Sequence, residues 1–281
     1  MNESPMVVKI GGAAGIEMEA LCLEIAARWH AGERMVLIHG GSDATNVLAE
    51  QLGHPPRMVV SPSGHHSRYT DRRTLEIFAM ATAGINRALV ERLQALGVPA
   101  WGLSGVDGRV LRARRKSAIR VVEEGRVRVL RDDWTGTVEA ADGDLLRALL
   151  DERLGRAYLP VLAPLAAGEN GEMLNVDGDR TAAVVAAALA ARTLVLLSNV
   201  AGLLRRYPDE RSLVSELAAA DIDTAMEWCQ GRMKKKLLGA REALTRGIDR
   251  VIIGDARRAR PLGDALAGHG TTIGQVPALS P

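Results

Sequence analysis

What this sequence lacks excludes several classes of protein. Only two of its 281 residues are cysteines, Cys22 and Cys229, too few for a disulfide framework or a cysteine-rich zinc site. Aromatic residues make up 3% of the chain, so a stacking platform for single-stranded nucleic acid is not expected. The most apolar stretch, residues 182–191, is mostly alanine and too short to span a bilayer.

Charge imbalance and targeting signals are also missing. The chain has 36 Lys and Arg against 34 Asp and Glu, a net charge of +2, which removes any global electrostatic reason for binding nucleic acid. The first five residues lack the basic and apolar regions of a secretory signal. With 47% hydrophobic and 25% charged residues, we expect a globular cytoplasmic protein that binds neither nucleic acid nor membrane.

Short β-branched runs alternate with helical patterns along most of the chain. Residues 6–10 and 35–39 are apolar runs that each end in a glycine pair, and residues 17–30 between them place apolar side chains on one helical stripe. This alternation predicts a mostly parallel sheet covered by helices. The predicted fold class is therefore α/β, a three-layer αβα sandwich with β-hairpin excursions.

The middle of the chain follows a different pattern. Residues 118–130 alternate valine and arginine around a glycine-containing turn, which predicts an antiparallel hairpin with one solvent-exposed face. Strand patterns resume afterwards, and a final strand is predicted at residues 250–253. We expect one continuous sheet with a soft division near residue 170, giving an N-terminal lobe (1–170) and a C-terminal lobe (171–281).

The two glycine pairs, Gly11-Gly12 and Gly40-Gly41, are candidates for anion binding. Glycine lets the backbone approach a ligand closely, and the start of the following helix presents free N–H groups. Two such turns at the carboxyl edge of a parallel sheet suggest two anionic groups held side by side. Neither pair belongs to a Walker loop or a Rossmann fingerprint. Two tight turns without a ligand remain the alternative.

Two lysines stand where their charge needs an explanation. Lys9 interrupts an apolar strand, so its ammonium must find a partner, and we expect it to reach the active edge; the alternative is a sheet-edge lysine that extends to solvent. Lys236 opens an apolar helix, where a cation opposes the helix dipole unless an anion lies nearby. Lys234 and Lys235 are expected to be solvated.

Polar residues at a spacing of two precede an alanine-rich helix. Asn175, Asp177 and Asp179 suggest several polar groups directed into one cavity from an extended segment. Either aspartate could instead cap the helix. The spacing does not fit a calcium-binding EF-hand loop.

A polar loop at residues 61–73 contains one informative cation. Arg68 can recognise a carboxylate by two parallel hydrogen bonds, and a loop can present it to substrate. The adjacent His65 and His66 lack a third ligand nearby and are interpreted as surface residues. No metal site within the protein is predicted.

Taken together, these residues resemble the amino acid kinase superfamily, and specifically its acetylglutamate kinase branch. The resemblance covers nearly the whole chain through six motifs in the same order, at residues 9–12, 39–41, 67–70, 175–179, 198–203 and 233–236. Longer patterns look like the carrier-protein-dependent kinases of this branch, at residues 39–46, 52–57, 67–71, 103–108 and 231–236. Ser42 replaces a usual third glycine and Asp177 a usual asparagine, which puts simple N-acetyl substrates in doubt.

The resemblance implies a reaction. ATP would phosphorylate the side-chain carboxylate of 2-aminoadipate, or of glutamate, whose amino group is attached to a small acidic carrier protein. The acyl phosphate would feed lysine or arginine synthesis. A carboxylate is ionised at neutral pH, so no general base is needed, and catalysis reduces to positioning and neutralising the phosphoryl group. Mg²⁺ would bridge the phosphates with few protein ligands, and a homodimer formed through the central helices is implied.

The resemblance also implies roles for individual residues. Lys9 and Lys236 would stabilise the transition state, and Asp179 would orient both. The implied substrate-binding residues are Gly40, Gly41, Arg68 for the α-carboxylate and Asn175 for the amide-linked part. The implied ATP-binding residues are Gly11, Gly12, Ser198, Asn199, Gly202 and Leu203. An acidic carrier would need a basic rim, for which the candidates are Arg72, Arg73, Arg112, Arg114, Arg115 and Lys116, although a merely solvated surface explains them equally well.

Two other functions are compatible with the same motifs. One is an acetylglutamate or acetylaminoadipate kinase that acts on the free N-acetyl amino acid. The other is a non-catalytic amino-acid or nucleotide sensor, against which the presence of Lys9, Asp179 and Lys236 argues, since a sensor does not need transition-state lysines.

Overall fold

A computed structural model describes residues 4–13, 15–62, 64, 66–229 and 231–274. The expectations placed on residues 1–3 and on His65 lie outside the described residues. Over the described part, the strands are β1 (Met6–Ile10), β2 (Met35–His39), β3 (Met58–Val60), β4 (His66–Arg68), β5 (Ala100–Ser104), β6 (Leu111–Arg115), β7 (Ile119–Glu123), β8 (Arg126–Leu130), β9 (Thr135–Ala141), β10 (Leu159–Ala163), β11 (Leu165–Ala167), β12 (Met173–Val176), β13 (Thr193–Ser198), β14 (Glu216–Leu217), β15 (Arg250–Asp255) and β16 (Gly270–Gly274). The helices are α1 (Met18–His30), α2 (Ser42–Gln51), α3 (Arg72–Ala95), α4 (Gly143–Leu150), α5 (Gly178–Ala188), α6 (Ile222–Trp228), α7 (Arg232–Thr245) and α8 (Pro261–Leu266).

The main sheet has eight strands in the order β14-β16-β15-β13-β1-β2-β10-β5. Neighbouring strands run parallel, except that β16 is antiparallel to β15. Helices α1, α3 and α8 pack together over one face, and α5 packs on α7 over the other. The inner strands are largely apolar because both faces of the sheet are covered, and buried polar exceptions such as Lys9, His39 and Ser198 lie towards their carboxyl ends. The expected α/β sandwich is confirmed.

The order of the strands bears on the expected division near residue 170. Strands from the first part of the chain, β1, β2, β10 and β5, form one half of the sheet, and β13 to β16 form the other. The border between the halves is the pair β1–β13, whose backbones are hydrogen-bonded along four residue pairs. We propose that the two lobes correspond to these halves of one sheet.

Two boundaries differ from the expectation. The apolar pattern at residues 47–52 predicts a helix after the second glycine pair, and in the structure this helix begins earlier, at Ser42. The strand at Arg250–Asp255 is not the final one, because β16 follows and pairs antiparallel with it. This pairing needs glycine at its start, since a Cβ on Gly270 would lie 2.4 Å from the carbonyl oxygen of Ile253.

A small closed barrel was not predicted. It consists of β6, β9, β12 and β11, with antiparallel pairing in β6–β9 and β11–β12 and parallel pairing in the other two contacts. Only one residue, Pro164, separates β10 of the main sheet from β11, and β12 leads directly into α5. The barrel therefore adjoins the carboxyl edge of the main sheet.

The predicted hairpin with one solvent-exposed face is confirmed, and valines form much of that face. Strands β7 and β8 pair antiparallel over five residue pairs. On this face, Val122, Val127 and Val129 are 36%, 60% and 51% exposed, and the exposed Arg120 lies among them. The opposite face contains the buried Val121 and packs on β3. The hairpin stands away from the core, so no other element covers its valines within the described part of the chain.

None of the helices in the described ranges is long and apolar enough to cross a membrane.

Candidate active site

The two glycine turns lie against each other at the carboxyl edge of the main sheet. A Cβ on Gly12 would be 2.4 Å from the nitrogen of Gly41, and a Cβ on Gly40 would be 2.6 Å from the nitrogen of Gly12. No side chain fits at either position. The glycines therefore have a packing role of their own, because the backbones of two adjacent strands leave β1 and β2 in direct contact.

Two of the four glycine amides remain available for a ligand. Gly11 donates its N–H to Leu197 and Gly40 donates to Ile10, both at main-chain carbonyls. The N–H groups of Gly12 and Gly41 donate to no acceptor within the described residues. Free backbone amides beside a helix start are suited to bind phosphate oxygens, so the turns can act as a cradle for an anion.

Gly12→Ala is expected to destabilise the protein by about 1–3 kcal/mol, since the added methyl group overpacks against backbone atoms that cannot rotate away. Urea denaturation monitored by circular dichroism measures this. Gly84→Ala is the matched control: Gly84 is exposed within α3, a Cβ added there would have no atom within 4 Å, and a change below about 1 kcal/mol is expected. Equal stabilities for the two variants would contradict the packing role of Gly12.

Two lysines from distant parts of the chain converge on one carboxylate beside this cradle. Lys9 Nζ lies 2.8 Å from Asp179 Oδ1, and Lys236 Nζ lies 3.3 Å from Asp179 Oδ2. All three side chains are less than one-tenth exposed. The structure thus brings together the three residues that the sequence singled out as catalytic.

The position of Asp179 differs from the expected extended segment. Asp177 caps α5 by accepting hydrogen bonds from the N–H groups of Asp179 and Arg180, at 3.0 and 3.1 Å. The chain therefore enters the helix at Gly178, and Asp179 lies in the first turn, close to the positive end of the helix dipole. The spacing of two describes an extended chain only for Asn175 and Asp177.

Lys236 was expected to be the first residue of its helix, and this expectation is wrong. Helix α7 begins at Arg232, so Lys236 lies one turn inside the helix rather than opening it. Its ammonium is compensated by Asp179 on the neighbouring helix α5. The two helices approach closely because Gly239 has no side chain, and a Cβ there would lie 3.2 Å from the backbone of Asp179.

The charges of this triad do not balance. Burial alone would raise the pKa of Asp179, but Lys236 and Lys9 together hold that pKa well below its usual range. Burial lowers the pKa of Lys236, although Asp179 opposes this. Two ammonium groups against one carboxylate leave an excess positive charge in a buried place, where it is costly unless an anion arrives. The triad is therefore built to receive negative charge.

Arg68 carries an unsatisfied donor. It lies on β4, and its Nη2 donates to the carbonyl oxygen of Ser42 and to Asn46 Oδ1, each at 2.7 Å. Its Nε is buried and has no partner in the described part of the chain. Burial, together with the charge of Arg232, lowers the pKa of Arg68. A buried N–H without a partner is unfavourable, and a substrate carboxylate would satisfy it.

Asn175 is linked to the segment that contains Arg68 by a hydrogen bond to Thr70. Its Nδ2 donates to Thr70 Oγ1 at 3.2 Å, and Thr70 is two residues from Arg68.

Sequence reasoning missed Asp133, which is buried in the same region. Its Oδ1 accepts from the N–H of Thr135, and its Oδ2 has no partner among the described residues. An aspartate pair before Trp134 was the available signal.

Apart from Gly11 and Gly12, the residues predicted to bind ATP lie at or just after the end of β13, which pairs with β1. The buried Ser198 ends the strand, and its carbonyl oxygen accepts from Ala256. Asn199 follows and is half-buried. Gly202 adopts a φ of 150°, and the side chain of Leu203 is fully buried while its N–H donates to Thr271 Oγ1. The carbonyl oxygen of Leu203 accepts from the N–H of Val214, so both polar groups of its backbone are already engaged within the protein.

Most of the predicted basic rim is paired with acidic groups. Arg114 contacts Glu139, and Arg115 donates to the carbonyl of Asp133 and lies over the ring of Trp134. Arg72 and Arg73 both contact Glu76 on α3. Arg112 and Lys116 are exposed and have no ion pair in the described ranges. The rim is thus less positive than its arginine count suggests.

Comparison with known proteins identifies the family. The model of the amino acid kinase family matches residues 4–255 of this chain. The chain belongs to the amino acid kinase family. Relatives in this family include a protein from Deinococcus radiodurans named [LysW]-aminoadipate kinase, 56% identical over 95% of this chain and 91% of that protein. A protein of the same name from Thermus thermophilus is 50% identical, over 95% and 99% of the two chains.

Solved structures agree with this assignment of an amino acid kinase fold. N-acetylglutamate synthase from Neisseria gonorrhoeae matches with a TM-score of 0.77 and 27% identity, over 99% of this chain and 61% of that chain. Carbamate kinase from Giardia lamblia matches with a TM-score of 0.66 and 18% identity, over 96% and 98% of the two chains. The resemblance to the amino acid kinases is confirmed.

Proposed function

We propose that this amino acid kinase transfers the γ-phosphoryl group of ATP to the side-chain carboxylate of 2-aminoadipate, held through its amino group on a small carrier protein. The observation that carries the proposal is the buried Lys9–Asp179–Lys236 triad, whose excess positive charge lies beside two glycine amides that have no acceptor among the described residues. Relatives at 56% and 50% identity are named [LysW]-aminoadipate kinase, which supports the choice of acceptor.

The chemistry needs positioned charge rather than proton transfer. A carboxylate oxygen of the substrate attacks the γ-phosphorus, the bond to the β-bridging oxygen breaks, and the electron pair leaves with ADP. The substrate is ionised at neutral pH, so no proton has to be removed. Lys9 and Lys236 would neutralise the oxygens of the migrating group, while Asp179 holds both ammonium groups in place.

Mg²⁺ fits this site as a companion of ATP. Both carboxylate oxygens of Asp179 are engaged by lysines, so this residue is not free to ligate a metal. No group of three or more His, Cys, Asp or Glu side chains suited to a metal occurs among the residues that the structure describes. The ion would therefore be held by the phosphates and water, and would add positive charge there.

The other end of the substrate would meet Arg68 and Asn175. The unpaired Nε of Arg68 supports a contact with the α-carboxylate. Asn175 lies beside Thr70 in the same region and would bind the amide that joins the amino acid to its carrier.

A basic segment next to these residues supports a carrier of acidic character. Residues 112–131 contain eight Arg and Lys and two Glu, a net charge of +6, whereas the whole chain has +2. The hairpin in this segment packs on β3, which pairs with β4, the strand that contains Arg68. Arg57, the residue before β3, forms an ion pair with Glu123 of the hairpin. Several of these arginines are paired with acidic groups, so an acidic partner would be attracted mainly by Arg120 and Arg126, which have no ion pair in the described structure.

Reversing charge on the hairpin tests this docking surface. In Arg120→Glu/Arg126→Glu, both replaced side chains are exposed and have no ion pair in the described structure, so we expect the fold to tolerate the change, which a thermal melt verifies. We expect KM for carrier-linked aminoadipate to rise about 3- to 10-fold at low salt, and less at high salt. The control Arg92→Glu/Arg246→Glu makes the same change of net charge away from the hairpin and should leave KM unchanged. Equal KM values in both variants would exclude the hairpin as the docking surface.

A substrate panel tests the proposed function. ATP turnover is measured with carrier-linked aminoadipate, carrier-linked glutamate, N-acetylaminoadipate and N-acetylglutamate, each at saturating Mg²⁺. We expect the highest kcat/KM with carrier-linked aminoadipate. A higher value with the free N-acetyl amino acids would replace the carrier-dependent function with the simpler kinase. No turnover with any acceptor would favour a sensor.

We also propose that the protein is a homodimer formed through its central helices. Helix α3 is the longest helix described, and Met80 on it is 47% exposed. Sedimentation equilibrium tests this, and a monomeric mass at micromolar concentration would contradict it.

A further inference from the structure

A buried chain of polar groups lies behind the second glycine turn. It joins Asn86 on α3 to His39 at the end of β2 and then to the carbonyl of Gly40. Asn86 Nδ2 lies 2.9 Å from the carbonyl oxygen of Val161 and 3.2 Å from His39 Nε2. His39 Nδ1 lies 3.0 Å from the carbonyl oxygen of Gly40. Both side chains are almost fully buried, at 3% and 1% exposed.

The acceptors in this series of polar groups determine the positions of the hydrogens on Asn86 and His39. A carbonyl oxygen only accepts, so the amide nitrogen of Asn86 must face Val161. Its second hydrogen then faces His39 Nε2 at 3.2 Å, which is closer than the other acceptor in reach, the carbonyl oxygen of Leu103 at 3.5 Å. Burial, with a contribution from the charge of Lys9, lowers the pKa of His39 to about 4, so its ring carries one hydrogen at neutral pH. Since Nε2 accepts, that hydrogen is on Nδ1, which donates to Gly40.

This hydrogen bond fixes the direction of a second group. The carbonyl of Gly40 and the N–H of Gly41 belong to one planar trans peptide, so they point in opposite directions. Holding the carbonyl towards His39 therefore turns the N–H of Gly41 away from it. The nitrogen of Gly41 is packed against Gly12, and its N–H is one of the two glycine amides without an acceptor in the described structure.

We propose that Asn86 is a positioning residue for phosphoryl transfer: by fixing the tautomer of His39, it aims the N–H of Gly41 at the reacting group. This inference rests on the proposed kinase function. Without the amide of Asn86, the hydrogen of His39 can move to Nε2. The lone pair of Nδ1 then faces the carbonyl oxygen of Gly40, and their repulsion turns the peptide and its N–H away from the cradle.

Asn86→Leu tests the kinetic consequence. We expect kcat to fall about 10- to 100-fold, since one preorganised donor is misdirected, while KM for ATP and for the acceptor changes less than about threefold. Thr82→Val is the matched control. Thr82 is buried one turn away on α3, its hydroxyl bonds only to carbonyls of its own helix, and the valine keeps the methyl group near Gly41. Its kcat should stay near that of the wild type.

The tautomer of His39 gives a readout that does not depend on activity. In ¹⁵N-detected histidine spectra of the wild-type protein, we expect Nδ1 of His39 to be protonated and Nε2 to be unprotonated. In Asn86→Leu, we expect a mixture of tautomers. A wild-type His39 protonated on Nε2 would overturn the inference even if no Asn86 variant folds.

The two proposals fail in different ways. If the wild-type enzyme phosphorylates the carrier-linked substrate but Asn86→Leu keeps its full kcat, the positioning role is wrong and the kinase function stands. If the wild type has no turnover with any acceptor, the proposed function fails, while the spectra still decide the tautomer.

Discussion

Lys9→Ala is expected to lower kcat for ATP-dependent phosphorylation by about 10²- to 10³-fold, the effect of losing one preorganised charged donor at a reacting group. Lys9 is buried at the end of β1 and contacts the same carboxylate as Lys236. Its loss leaves Asp179 paired with Lys236 alone, a neutral pair, so the fold should tolerate the change. Steady-state kinetics with carrier-linked aminoadipate measure kcat, and a thermal melt verifies folding.

Lys234→Ala is the control for this substitution. Lys234 lies in the first turn of α7, only half-buried and without an ion pair in the described ranges. The substitution removes the same charge as Lys9→Ala without altering the triad, so kcat should change less than threefold. Full activity in Lys9→Ala would refute the catalytic assignment of Lys9. An equal loss of kcat in both variants would show that the loss comes from the change in net charge and not from the triad.

Asp179→Asn is expected to lower the free energy of unfolding by about 3–5 kcal/mol, because two buried ammonium groups lose the carboxylate that both of them contact. Turnover should fall as well, since neither lysine is then held in place. Urea denaturation at pH 7 measures the stability. Asp223→Asn is the control. Asp223 also pairs with a basic side chain, that of Arg241, but it is 74% exposed, so we expect the free energy of unfolding to change by less than about 1 kcal/mol.

The same carboxylate makes stability depend on pH. The folded pKa of Asp179 is depressed, so its contribution is fully present above the ordinary carboxylate pKa of about 4 and is lost as the pH falls further. The wild type should therefore lose stability between about pH 4 and the acid limit of folding, and Asp179→Asn should lose less over that range. Removing one lysine as well, in Asp179→Asn/Lys236→Met, should restore part of the stability; strictly additive losses would contradict a shared counter-charge.

The sequence was informative where chemistry conflicts with local structure. A lysine within an apolar strand has to find a partner, and this conflict identified Lys9 before its counter-charge was known. Glycine pairs at strand ends located the edge at which the two turns meet. The alternating strand and helix patterns predicted the layers, because hydrophobic periodicity reports directly which faces are covered.

Other features depend on contacts between distant parts of the chain. Asp177 and Asp179 look equivalent in sequence, and only the start of α5 makes one a cap and the other a partner of two lysines. The small barrel joins strands of three to seven residues whose pairing is set by tertiary contacts. The exposed valines of the hairpin could not be foreseen, since alternation shows two faces but not which one the rest of the molecule covers.

In the proposed mechanism, the ammonium groups of Lys9 and Lys236 converge on the migrating phosphoryl group. A crystal structure of the enzyme with Mg·ADP, aluminium fluoride and the acceptor tests this directly, because the fluoride complex imitates the transferring group. We predict both Nζ atoms within about 3 Å of its ligand atoms, with the N–H of Gly41 also directed at it. A complex in which either lysine remains bound only to Asp179 and distant from the fluoride would contradict the mechanism.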